Sequence, residues 1–191
     1  MGQMLQGYRD IQRAKAEYPL SVARIRAFPK PLLGMQVRGG LKGLMYLDDR
    51  EGGQERWLSS NGVLLVLDAG RVVRSRGFAS DVLGNVPLKW QDPLGSRLDP
   101  GKSYQFSRQL DLGPDRYGIV TEHRMDYLGK EALQVLDRPQ SAAVWTETVR
   151  LPRLRLQWSN RYYLDPASGF VLRSTQHLDL DVELTLEYLS V

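Results

Sequence analysis

Between Asn160 and Ser174 the chain can do little other than reverse on itself. Arg161-Tyr162-Tyr163-Leu164 and Phe170-Val171-Leu172-Arg173 have the aromatic and β-branched texture of strands, and Asp165-Pro166-Ala167-Ser168-Gly169 lies between them. Proline presets φ for an early turn position and glycine tolerates the positive φ at which a second strand starts. The same plan occurs earlier, where Leu65-Val66-Leu67-Asp68-Ala69-Gly70-Arg71-Val72-Val73-Arg74-Ser75 reads as strand, Asp…Gly turn and strand. Two hairpins of one design predict an antiparallel β scaffold.

The rest of the chain agrees. Asn61-Gly62 and Gly113-Pro114-Asp115 are turn signals, and Asp48 to Gly53 forms a polar turn between short strands. Leu128-Gly129-Lys130 is expected to turn the chain into a strand over 132–136. The closing segment alternates, with Val182, Leu184, Leu186 and Tyr188 on one side and Glu183, Thr185 and Glu187 on the other. One apolar face per strand predicts a mainly β fold, its antiparallel sheets packed as a sandwich or curled around a shared core. A single amphipathic helix is expected over residues 4–17, ended by Pro19. Residues 77–100, with Pro87, Pro93, Pro100, Gly84 and Gly95, read as one long irregular connection, of the kind that is often functional or mobile. No shift in composition divides the 191 residues, so one domain is expected.

Chemistry is harder to find. The absence of cysteine excludes disulfides and thiol nucleophiles in this sequence, and no stretch is long and apolar enough for a membrane-spanning helix. A formal charge of +4 is mild, because 26 basic residues are interleaved with 22 acidic ones. No basic track with aligned aromatics supports nucleic-acid binding. The two histidines, His123 and His177, lack partners at metal spacing, and alternation sends Glu122 to the face opposite His123. A hydrogen-bonded or exposed strand histidine is the better reading, and no cofactor is expected. The glycine-rich Arg38 to Gly43 reads as a turn between strands, since no helix follows to complete a phosphate cradle. Asp48-Asp49 and the pair Asp179 and Asp181 have the residue types of a glycosidase, though surface aspartates explain both. Among the tryptophans, Trp145 and Trp158 read as core. Trp57 and Trp90, with Lys89 and Arg76, remain the binding candidates, because an indole beside a cation can stack on a flat ligand face.

Two blocks carry a family resemblance. The run from Trp57 to Phe78, containing Asn61-Gly62, Gly70, Val72-Val73, Ser75 and Gly77, resembles a segment of the YjbF/GfcB-type lipoproteins, and Asp81-Val82-Leu83 follows in place. The later block, Asn160 to Asp165 with Gly169, Val171 and Ser174-Thr175-Gln176, is similar to their second signature; Tyr163 stands where tryptophan is usual. The resemblance implies a mostly antiparallel β protein curled as a half-barrel, without established catalytic residues. It further implies an outer-membrane, periplasm-facing lipoprotein of exopolysaccharide or capsule operons, whose partners are polysaccharide or export-machinery proteins. Members are acylated on a lipobox cysteine, which this sequence lacks; a chain trimmed behind that cysteine is the expected reason. The leading expectation is therefore a non-enzymatic envelope protein assisting export or assembly of a surface polysaccharide. A lipid or lipoprotein carrier with a half-barrel cavity is the second reading, and a glycan-processing enzyme the third.

Overall fold

Asp165 shows how the expected turns are built. Its carboxylate accepts hydrogen bonds from Ser168 N (2.9 Å) and Ser168 Oγ (2.5 Å), and its carbonyl accepts from Gly169 N at 2.8 Å. Gly169 adopts φ +77°, a conformation open to glycine. The protein is described here by a computed structural model covering residues 17–89 and 91–190. The helix expected over residues 4–17 lies, but for Glu17, outside the described residues, as does Trp90.

Among the described residues there is one α-helix, α1 (Val22–Arg26), and the strands are β1 (Leu32–Val37), β2 (Lys42–Glu51), β3 (Gln54–Ser59), β4 (Leu64–Asp68), β5 (Arg71–Arg76), β6 (Val82–Lys89), β7 (Tyr104–Leu112), β8 (Arg116–Val135), β9 (Arg138–Leu151), β10 (Leu156–Leu164), β11 (Val171–Asp179) and β12 (Val182–Tyr188). All twelve join one sheet in the order β5-β4-β3-β2-β1-β12-β11-β10-β9-β8-β7-β6. Two meanders are thus spliced where β1 pairs antiparallel with β12, and every other pairing is antiparallel too.

The sheet curls until its edges, β5 and β6, face each other, giving a nearly closed barrel. Side chains rather than a backbone ladder fasten this seam. Val82 N donates to Ser75 Oγ at 2.8 Å, and Asn85 Nδ2 donates to Val72 O at 3.3 Å. Val72 N is taken by Gln176 Oε1, reaching across from β11 at 3.0 Å. Such side-chain bonds satisfy edge groups that would otherwise be left without partners.

The interior is filled. Leu33, Met45, Trp57, Leu65 and Leu184 form one apolar cluster, and Phe106, Met125, Trp145, Tyr162 and Val171 another. A third lies on the opposite face of β1, where Ile25 of α1 packs with Leu32, Leu133, Val135 and Ala142. Ser21 caps α1, its Oγ accepting from Arg24 N at 3.4 Å. No helix among the described residues is long and apolar enough to cross a membrane.

Three local expectations are corrected. Residues 77–100 are not one irregular connection, because β6 occupies Val82–Lys89. As an edge strand it pairs only with β7, so the missing N–H of Pro87 is tolerated, and register shifts near Gly84 and Pro87 absorb the irregularity. Gly129 does not turn the chain: its φ of +136° serves a bulge beside Tyr127, and β8 runs on to Val135. Asp48 and Asp49 lie in β2 rather than in the turn, which is made by Gly52 and Gly53 at φ +58° and +84°.

Candidate functional site

Alternation along β9 turns Ala143, Trp145, Glu147 and Val149 inward, so a carboxylate enters an otherwise apolar row. Glu147 is fully buried, and its partners come from three other strands. Arg71 of β5 donates from Nη1 at 3.0 Å, Asn160 Nδ2 of β10 at 2.8 Å and Tyr162 OH at 3.1 Å, and His123 Nδ1 of β8 lies 2.8 Å away. Arg71 Nε reaches Asp92 Oδ2 at 2.5 Å, and Arg108 Nη1 of β7 reaches the same oxygen at 2.6 Å. Arg108 is held further by Asn85 Oδ1 at 2.6 Å. Two guanidinium groups and two carboxylates thus meet in formal balance inside the barrel.

Burial by itself would push the Glu147 carboxyl up, but Arg71 and His123 outweigh it and hold the group well below the usual carboxylate range. For Arg71, burial opposes the charge while Asp92 and Glu147 reinforce it more strongly, raising its pKa well above normal. Burial, joined by repulsion from Arg71, lowers that of Arg108. Every group in the knot is engaged by another, which makes it a fastening of β5, β7, β8, β9 and β10. Asp92 also explains why the segment after β6 is anchored: it accepts from Leu94 N at 3.0 Å, and Leu94 and Leu98 are buried against Phe106 and Trp145.

Outside this knot, a groove of about 590 Å³ runs over the outer side of β7, β8 and β9. Cross-strand rows Gln105–Arg124–Thr148 and Ser107–Glu122–Arg150 line it, and Lys89 of β6 stands at its edge. Arg124 Nε is bound to Asp126 Oδ2 at 2.8 Å and Arg150 Nε to Gln157 Oε1 at 3.0 Å. Lys89 and Glu122 make no side-chain hydrogen bond or ion pair among the described residues. Uncommitted donors and acceptors of both signs suit a hydroxyl-rich ligand.

Of the binding candidates named from the sequence, Lys89 lines this groove, and so do His123 and Glu122, which the sequence singled out only in the test for a metal site. Arg76 is exposed at the end of β5 and lies outside the lining. Trp57 must be corrected: it is 0% exposed, its ring meets Tyr188 edge-on at 5.6 Å, and its Nε1 donates to Glu55 at 3.2 Å, so no outside ligand reaches it. Trp145 is core, whereas Trp158 is half-buried with its ring 6.4 Å from that of His177. His123 is hydrogen-bonded and buried. Asp179 accepts from Arg116 Nη2 at 2.6 Å, and Asp181 is exposed on the following turn. Among the described residues, no three His, Asp or Glu side chains converge as metal ligands. The largest omission in the sequence reading is the knot itself, whose one local trace is Glu147 on the face of Trp145 and Val149.

Comparison with known proteins agrees with this architecture. Residues 6–189 match the family model described as group 4 capsule polysaccharide lipoprotein gfcB, YjbF. The chain belongs to that family of capsule lipoproteins. It is 27% identical over 167 residues to the uncharacterized lipoprotein GfcB of Escherichia coli (strain K12), covering 85% of this chain and 78% of the relative. The crystal structure of the hypothetical lipoprotein YmcC from Escherichia coli (K12) superposes with a TM-score of 0.82 at 23% identity, over 98% of this chain and 96% of that one. The curled antiparallel fold expected from the hairpins and from the resemblance is therefore the observed one.

Proposed function

We propose that this protein is a non-enzymatic envelope lipoprotein that assists export or assembly of a capsule or exopolysaccharide. In this reading it faces the periplasm from the outer membrane, and the polar groove beside Lys89 contacts the glycan or an export protein that carries it. The observation carrying the reading is the family match, which spans residues 6–189 and belongs to lipoproteins described by capsule polysaccharide. The groove supports it with a chemistry of free hydrogen-bonding groups rather than an apolar pocket.

Two rival readings lose support. A carrier holding an acyl chain inside the barrel needs room there, yet the cavity beside Asn160 and His177 is about 20 Å³, the space of roughly one water. A hydrolase with Asp179 as its proton donor needs that carboxyl to hold a proton near neutral pH. Burial favours that protonation, but Arg116 and the Leu180 N–H prevail and depress its pKa instead.

Deleting the gene should strip surface polysaccharide from cells that otherwise make it, and the intact gene should restore it. A Lys89→Ala, Glu122→Ala double variant should restore it only in part while melting like the parent protein. Unchanged polysaccharide in the deletion strain would overturn the reading.

A further inference from the structure

The positive charge of this chain is not spread evenly. Residues 18–47 hold five basic residues, Arg24, Arg26, Lys30, Arg38 and Lys42, and no acidic one, while the rest of the chain carries 21 basic residues against 22 acidic. This segment comprises α1, β1, most of β2 and the turns between them, and it also carries the most exposed apolar side chain of the described residues. Leu41 is 64% exposed, Phe28 40% and Val37 37%. They share a groove of about 590 Å³ with Leu20, Met35 and Leu44.

The cations stand around that groove. Lys42 lines it, and Arg38 sits on the turn between Val37 and Leu41. Lys30 Nζ lies 4.9 Å from the ring centre of Tyr46, another lining residue, and Lys42 Nζ lies 4.6 Å from that of Tyr18. Neighbouring elements neutralise only part of this charge. Asp137 pairs with Arg26, and Glu183 lies 3.6 Å from Arg38, while the buried Glu187 is taken by Tyr18 and Arg173. Arg24, Lys30 and Lys42 face no carboxylate partner among the described residues. Ring contacts leave a lysine's charge in place.

Exposed apolar side chains ringed by cations that are only partly compensated form a surface that water and polar glycans match poorly. It is complementary to a layer whose headgroups are anionic and whose interior is hydrocarbon. We propose that this face docks on the surface of an anionic bilayer, with Phe28 and Leu41 entering the headgroup region and Lys30, Arg38 and Lys42 meeting phosphates. The docking would fix which side of the barrel meets the membrane. The inference stands apart from the polysaccharide reading: it needs no glycan, and a deletion strain with normal capsule would leave it intact.

Vesicle flotation of the whole chain tests it, comparing phosphatidylethanolamine vesicles doped with phosphatidylglycerol against phosphatidylcholine vesicles. Binding is expected to the anionic vesicles and should weaken as salt is raised. Each of Lys30→Gln and Lys42→Gln should weaken it about fivefold, the factor equivalent to about 1 kcal/mol per cation near such a surface. Phe28→Asp with Leu41→Asp should abolish flotation, whereas Leu154→Asp, on the turn after β9, should leave it unchanged. Melting curves matching the parent would show that these surface variants fold. Equal binding to both vesicle types, no binding to either, or a Phe28→Asp, Leu41→Asp variant that floats like the parent would overturn the proposal. So would tight binding to a soluble acidic polymer that this variant retains, since that would mark a polyanion site.

Discussion

Glu147→Leu should destabilise the protein by about 3–5 kcal/mol, the cost of breaking a buried ion pair from one side. The substitution leaves Arg71 with Asp92 alone and strips acceptors from Asn160 Nδ2 and Tyr162 OH, all inside the barrel. Urea unfolding measures the loss directly. Replacing both partners, Arg71→Met with Glu147→Leu, should recover a large part of it, because no uncompensated guanidinium then remains. If the double variant is as unstable as the sum of the singles, Arg71 and Glu147 are not coupled as described. The same pair sets a pH dependence. The folded pKa of Glu147 lies below its unfolded value of about 4.3, so the unfolded chain binds the extra proton first. The stabilisation is complete above about pH 5 and drains away as pH falls through the unfolded and then the folded pKa. Acid unfolding should therefore be less steep in Glu147→Leu than in the parent protein, when compared by melting temperature across that range.

Local chemistry announced the sheet but not its interior electrostatics. Alternation in β12 places Val182, Leu184, Leu186 and Tyr188 in the core as expected. It fails at Glu187, buried on the opposite face because Tyr18 and Arg173 close over it. Asn61-Gly62 and Asp165 to Gly169 were legible because a turn's requirements fall on adjacent residues. Arg71, Asp92 and Glu147 were not, since their partners lie 21 and 76 residues apart in sequence and meet only when the barrel curls. Trp57 misled for a related reason. A tryptophan beside an arginine and a turn looks available, and only pairing with Leu47 and Leu65 turns it inward. Lys89, a binding candidate from the sequence, stands at the edge of a groove whose other walls come from β7, β8 and β9 and have no common motif.

The two sequence blocks that suggested the family turn out to be neighbours in space, and Gly70→Ala tests that contact. Gly70, in the β4–β5 turn, has φ +85°, and a Cβ built there would lie 2.7 Å from Val171 Cβ at the start of β11. Its carbonyl also accepts Gln176 Nε2 at 2.7 Å, so the turn cannot swing away without losing that bond. Alanine should therefore cost about 1–2 kcal/mol for the left-handed backbone and a further 1–3 kcal/mol, roughly, for overpacking. Gly62→Ala separates the two contributions, because Gly62 has nearly the same φ, +82°, with nothing within 4 Å of its Cβ position. That variant should lose only the backbone part. Adding Val171→Ala to Gly70→Ala removes the two Cγ contacts at 2.8 and 3.2 Å while keeping the Cβ, so it should relieve part of the clash and give a positive coupling between the sites in a double-mutant cycle. Equal losses at Gly70 and Gly62, with no coupling to Val171, would mean that the two hairpins do not touch. The expected inequality ties the two signature blocks to one physical contact: a turn with no side chain, packed against the strand whose Gln176 fastens the β5 edge of the barrel.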